Sequence, residues 1–207
     1  MLVELFKDVL ENLDYFWIFI LMTIESSFIP FPSEVVVIPG AYMACEGTMS
    51  LPLVILIATL GGLLGATINY VLAMTLGRKV VYAFADSKWG HLCLIDVGKV
   101  NKAEKFFVDH GVIATLVGRL IPGIRQLISI PAGLAKMNIA KFAVFTFIGA
   151  GVWNAVLAYI GVKFHAVMDK DTLIDKVEHY SHEVFYGIVA IAVLVFAYLI
   201  FKNRKKA

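Results

Sequence analysis

Four formally charged residues interrupt otherwise apolar stretches of this 207-residue chain: Glu25 and Glu34 in one stretch, Arg119 and Arg125 in another. A guanidinium stays charged at any working pH and offers a planar fork of donors that matches the oxygens of a carboxylate or a phosphate. A carboxylate can exchange such a partner for a proton. Two of each in apolar surroundings point to recognition of an anionic headgroup coupled to proton uptake. A phosphate arriving on the arginines displaces a glutamate, and the displaced carboxylate, left without counter-charge in a poorly hydrated place, takes up a proton. The plain alternative is an ion-pair network that only holds two parts of the chain together.

The surroundings that must position these residues are those of a membrane protein. The chain is 60% hydrophobic and 16% charged, with a mean hydropathy of +0.83, which argues against a water-soluble globular domain. The apolar segments recur from Tyr15 to Phe201 without a polar linker, so a single membrane domain is expected. Crossing the hydrocarbon core of roughly 30 Å takes about 20 apolar residues. Segments 51–76, 142–162 and 184–201 come close to that length or exceed it. Residues 15–45 are broken by Pro30-Phe31-Pro32 and residues 112–135 by Pro122 and Pro131 with Gly123 and Gly133 beside them. Proline removes a backbone donor and glycine frees the backbone, so each stretch is expected to fold as two half-helices in a re-entrant hairpin. The charged four lie in these two hairpins, whose half-helix N-termini can add backbone donors to a phosphate. Each ionised side chain left unpaired at membrane depth costs roughly 2.5 to 3.5 kcal/mol, so pairing of the glutamates with the arginines is expected.

The order of hairpin, spanning helix, connecting segment, hairpin, spanning helix reads as two copies of one unit with inverted orientation, whose breaks meet near the bilayer midplane. The expected fold is therefore an all-α integral membrane protein of two inverted repeats, each a re-entrant helical hairpin plus a spanning helix, with an extra C-terminal transmembrane helix. Residues 1–14, which carry acids at 4, 8, 11 and 14, are expected as a retained interfacial helix. Residues 78–110 form a cytoplasmic amphipathic segment, 163–183 an external segment and 202–207 a basic tail. The segments assigned to one side carry twelve bases and four acids, those on the other four bases and ten acids. By the positive-inside rule the first side is cytoplasmic, and the C-terminus with it. Cys45 and Cys93 fall near opposite faces and are expected as free thiols.

Weaker signals have bland readings beside them. Gly61 and Gly65 form a GxxxG that suits close helix packing, with Gly149-Ala150-Gly151 as a partner surface; internal packing is preferred to a dimer seam, and a homo-oligomer stays open. Asn69 and Asn154 either bond across the bundle or line the lipid path, and Trp153 is either an ordinary bilayer aromatic or a flank of that path. His179 and His182 beside Glu178 and Glu183 read as a solvated segment rather than a metal site, so no metal or other cofactor is expected. His110 stands where the amphipathic segment enters the second hairpin, as an interfacial residue or a proton gate.

Glu25-Ser26-Ser27-Phe28-Ile29-Pro30-Phe31-Pro32-Ser33-Glu34, Gly61-Gly62-Leu63-Leu64-Gly65, Tyr70, Leu76-Gly77-Arg78, His110-Gly111, Gly118-Arg119-Leu120-Ile121-Pro122-Gly123-Ile124-Arg125, Pro131-Ala132-Gly133 and Trp153 follow one another in this order. In these motifs the chain resembles the DedA family of membrane proteins, which share a core with the VTT domain of eukaryotic scramblases. The resemblance implies re-entrant hairpins, residence in the bacterial inner membrane, and flipping of an anionic lipid such as undecaprenyl phosphate, or of a phospholipid, driven by the proton motive force. It maps the family's functional acids onto Glu25 and Glu34 and its arginines onto Arg119 and Arg125. Many members carry an acid after the clustered glycines; Ala66 stands there in this chain, so no proton route is drawn through the first spanning helix.

Translocation of an anionic lipid is thus the leading expectation, with the lipid and protons as partners. A proton-coupled ion or small-solute antiporter on the same charges is the alternative. Hydrolysis of the lipid is disfavoured because Ser26, Ser27 and Ser33 have no evident base other than the glutamates. A passive scaffold would tolerate alanine at all four charges. The net charge of +2 comes from Lys and Arg grouped between the apolar segments and at the tail, which bears on orientation more than on partners, and nucleic acid is not indicated.

Overall fold

The computed structural model describes residues 12–27, 32–86, 97–121, 125–169 and 172–173. The expected interfacial helix, the C-terminal span 184–201, the basic tail, Cys93 and most of the external segment lie outside these residues; Cys45 is a free, exposed thiol. Among the described residues all regular structure is helical. In chain order the helices are α1 (Tyr15–Glu25), α2 (Glu34–Cys45), α3 (Leu51–Leu72), α4 (Arg78–Asp86), α5 (Val97–Arg119), α6 (Ser129–Leu134) and α7 (Ile139–His165). A π-helical turn, Ala73–Gly77, joins α3 to α4.

Helix is interrupted in both expected stretches, but Pro131, expected as a second breaker, lies in the first turn of α6, where its missing N–H costs no helical bond. Helix α1 starts at Asp14, whose carboxylate accepts from Trp17 N–H at 2.8 Å, and ends at Glu25. Helix α2 begins after Ser33, whose hydroxyl leaves its own first turn uncapped. The second break follows Arg119, the last residue of α5, and closes at Ser129, the first of α6. One boundary differs from the sequence reading. The end of the expected amphipathic segment, from Val97, and the residues expected as the first arm of the second hairpin form one helix, α5, kinked at His110, which sits at φ −128°, ψ 16°.

Helices α3 and α7, the first continued through Gly77, are long and apolar enough to cross a membrane, a weak argument by itself. Their outward faces strengthen it. Leu53, Leu56, Leu60, Leu64, Ile68 and Val71 recur every three or four residues along α3 and are all exposed, as are Val144, Ile148, Val152, Val156 and Tyr159 along α7. A soluble helix turns such a stripe inward. Here the inward face of α3 carries Gly61, Gly62, Gly65 and Asn69 instead. At 1.5 Å per residue the Leu53–Val71 stripe is about 27 Å long, close to the hydrocarbon thickness.

The arms pack crosswise. Helix α3 holds α1 and α6, and α7 holds α2 and α5, so each long helix takes one arm from each broken stretch. Glycines make these seams: a Cβ on Gly61 would lie 2.5 Å from the Phe19 carbonyl oxygen, and Gly65 abuts the Thr23 carbonyl of the same helix. Gly161 faces Ile38 of α2, and Gly149 faces Arg119 of α5. The Gly61/Gly65 pair thus serves internal packing, but against α1 rather than the Gly149–Gly151 surface. Further along α3, Tyr70 donates its hydroxyl to the Met137 carbonyl and stacks on Phe142, which fastens the α6–α7 turn.

Candidate functional site

The ends of the four arms converge between α3 and α7. Glu25 closes α1 with 2% of its surface exposed. Its Oε1 accepts from Arg125 Nη2 at 2.5 Å and from Gln126 Nε2 at 3.2 Å, and its Oε2 accepts from Ser26 Oγ at 2.8 Å. The same Arg125 nitrogen donates to Ser33 Oγ at 2.8 Å. The hydroxyl that would ordinarily cap α2 is therefore turned to the arginine, and both tips of the first break hold the second through one guanidinium. Burial strengthens each contact, because the low local dielectric raises the attraction and the cost of losing it together.

Arg119 ends α5, where a cation complements the helix dipole, and is 3% exposed. Its Nη2 donates to Ser129 Oγ at 2.9 Å, across the second break. Gly149 makes this position available, since a Cβ there would come within 2.7 Å of Arg119 Cβ. The Arg119 Nε and the Trp153 Nε1 are buried donors with no hydrogen-bond partner among the described residues. The Arg125 guanidinium lies 5.4 Å from the centre of the Trp153 ring, within cation–π range.

Glu25, Arg119, Arg125, Trp153 and Asn154 line one cavity of about 20 Å³ together with Gly62. That is room for about one water. Gly62 is halfway along the exposed Leu53–Val71 stripe, and residues 150–154 fall near the middle of the stripe on α7.

Three of the four expected charges are thus together. Glu34 is not with them: it lies half-buried in the first turn of α2, where a carboxylate suits the helix dipole, and among the described residues no ion pair joins it to either arginine. Two guanidiniums therefore share the single carboxylate of Glu25 on the cavity wall, a formal excess of one positive charge. Of the residues expected to line a path, Trp153 and Asn154 border the cavity and Asn69 does not. Asn69 donates to the Ser26 carbonyl at 3.1 Å, satisfying an acceptor left over by the end of α1. Asn154 Nδ2 donates to Thr59 Oγ1 at 3.1 Å and so ties α7 to α3. Sequence reasoning missed Ser33, Gln126, Ser129 and the space made by Gly149. The signal for the two serines was their place at the ends of the breaks, where a hydroxyl is free to cap or to bind.

The VTT domain profile matches residues 31–163, well over half of the chain. An alkaline phosphatase-like protein of Lactococcus lactis subsp. lactis is 32% identical over 202 residues, 98% of this chain and 92% of that protein. Undecaprenyl phosphate transporter A of Bacillus subtilis is 32% identical over 94% of this chain and 91% of its own length. The protein of the same name from Staphylococcus aureus is 29% identical over 98% of both. No solved structure is significantly similar to the chain. With the VTT profile matched over more than half of its length, the chain belongs to the VTT domain (DedA) family.

Proposed function

We propose that this protein moves a phosphate-bearing anionic lipid, undecaprenyl phosphate or a phospholipid, across a bacterial cytoplasmic membrane, with Arg119 and Arg125 binding the phosphate. The observation that carries the reading is the cavity whose wall sets two guanidiniums, buried Arg119 and part-buried Arg125, beside the one carboxylate of Glu25. The excess positive charge suits an anion, and arginine forks match phosphate oxygens better than any other side chain. The names of the transporter relatives point the same way. The crosswise packing, unchanged when the two halves are exchanged in thought, supports inverted repeats with re-entrant hairpins whose tips carry the site at mid-depth.

A cavity that holds about one water excludes a headgroup, so the arms must part before a phosphate can enter. The phosphate then takes over Arg125 from Glu25. The freed carboxylate binds a proton, and release of the lipid on the far side reverses both exchanges. Glu25 is the counter-ion and proton carrier in this cycle, while Glu34 is the expected second acid of the pair. Bonds within the lipid stay intact throughout.

Transport of fluorescent lipid phosphate in proteoliposomes tests this. Arg119→Lys and Arg125→Lys keep the charge but lose the fork, and each is expected to slow transport about 10- to 100-fold, the equivalent of one or two charge-assisted hydrogen bonds. Wild-type rates in both variants sink the reading. The second reading, a proton-coupled small-ion antiporter, draws on the water-sized cavity and predicts proton flux in liposomes free of the candidate lipid. Inorganic phosphate released during the assay would instead indicate hydrolysis, with the Ser26 hydroxyl on Glu25 as its starting point.

A further inference from the structure

A second cavity, of about 520 Å³, opens beside the kink in α5 and the turn between α6 and α7. Its size is that of a ligand pocket. Two of its lining residues, both lysines, stand where local structure disfavours them. Lys136 takes φ +50° in a turn that closes α6, with its N–H donating to the Gly133 carbonyl at 3.0 Å and the Met137 N–H to the Ala132 carbonyl at 3.1 Å. That hydrogen-bond pattern places glycine or asparagine at the position Lys136 holds, because a Cβ there is strained. Lys141 is a cation in the first turn of α7, against the helix dipole; Asn138 caps that turn by accepting from the Ala140 and Lys141 N–H groups. His110 is the residue at which α5 leaves helical geometry, its ring stacked on Phe106.

A lysine kept in a left-handed turn and a second kept against a helix dipole, around one opening, point to a cause outside the helices themselves. Charge supplies it: the described wall of the cavity carries Lys136 and Lys141 against the single acid Asp109. Depth indicates the source of the anion. Lys141 stands in the first turn of α7, between exposed Ile139 and Val144, where the outward stripe of that helix begins, so the basic rim stands at one end of the apolar belt. Phe107 and Ile113 line the same opening, and Ile113 is exposed beside it. A basic rim at the end of an apolar surface matches a phosphate with acyl chains attached.

We propose that this cavity binds the headgroup of an anionic membrane phospholipid, its phosphate between Lys136 and Lys141, at a site separate from Arg119 and Arg125. Beyond its kink at His110, helix α5 continues to Arg119, and Met137 of the bounding turn accepts from Thr115 of α5 and from Tyr70 of α3. A bound headgroup thus braces the turn from which the second tip departs.

The test uses the full chain in detergent, carrying Arg119→Lys and Arg125→Lys so that the central site is weakened, with short-chain phosphatidylglycerol as the probe. Affinity is expected to fall about five-fold for Lys136→Gly or Lys141→Gln and roughly thirty-fold for both, at the usual worth of a lysine near an anionic lipid surface. Lys136→Gly is expected to melt no lower than its parent, since glycine accepts the left-handed backbone, which separates lost binding from lost folding. Phosphatidylcholine is expected to bind at the double-variant level. Undiminished phosphatidylglycerol affinity in the Lys136→Gly, Lys141→Gln chain overturns the site. Equal competition by inorganic phosphate overturns its assignment to a lipid.

Discussion

A buried carboxylate and a half-buried one of the same chemical type answer substitution differently, and Glu25 and Glu34 allow the comparison within one chain. Glu25→Gln removes the only acid among the described residues of the cavity wall and leaves part-buried Arg125 without its counter-ion. The expected destabilisation is about 3 to 5 kcal/mol. Glu34→Gln loses only a favourable position at a helix N-terminus, about 0.3 to 1 kcal/mol. Reversible unfolding in mixed micelles measures both, and equal losses would mean that Glu34 shares the ion pair after all. The contrast also marks what the residues alone disclosed. Their charge, apolar setting and position near the breaks were legible, and the meeting of Glu25 with Arg125 followed from the cost of leaving either alone. Which of two neighbours, Ser33 or Glu34, turns to the arginine depends on rotation about α2, since adjacent residues on a helix point about 100° apart. No sequence pattern in a helix buried almost all round fixes that rotation.

At the scale of elements, the breaks were readable because proline and glycine act through the local backbone, and the spans because their length is set by the bilayer. The pairing of elements was not. The GxxxG of α3 announced a close seam, yet small residues suit any partner, and the partner proved to be α1. Gly65→Ala tests this seam. Its new methyl meets the Thr23 carbonyl and Ser26 Cβ, both part of the α1 end that presents Glu25. Overpacking of this kind costs about 1 to 3 kcal/mol. Lipid transport is expected to fall further than melting predicts, because α1 must move away from α3 and take its carboxylate with it. Gly47→Ala serves as the control: nothing lies within 4 Å of its Cβ, but its φ of +83° limits the effect to local strain. Transport in Gly65→Ala that tracks stability alone would show that α1 aims nothing. The merging of the connecting segment with the second hairpin into α5 was also hidden, since the polarity change at His110 looks the same whether the helix stops or only bends.

For the molecule as a whole, the outward stripes of α3 and α7 and the inward cavity define one arrangement: apolar outside, charged at the centre. It is the reverse of a soluble protein, and only hydrocarbon around the long helices makes it stable. Leu64→Arg places a cation on the lipid face near the level of Gly62. Insertion of α3 is expected to worsen by roughly 2.5 to 3.5 kcal/mol, readable by glycosylation mapping of the translocated ends. Unchanged insertion would mean that this face meets water or protein.

The crosswise grip of the long helices has a consequence for how the chain is made. Helix α2 is buried against α7, which leaves the ribosome roughly ninety residues later. At about 5 to 20 residues per second, α2 waits some 5 to 20 s for its partner. Too short to cross the bilayer alone and holding Pro39 within it, this arm is for that interval the part of the newborn chain most open to a membrane protease or an insertion chaperone.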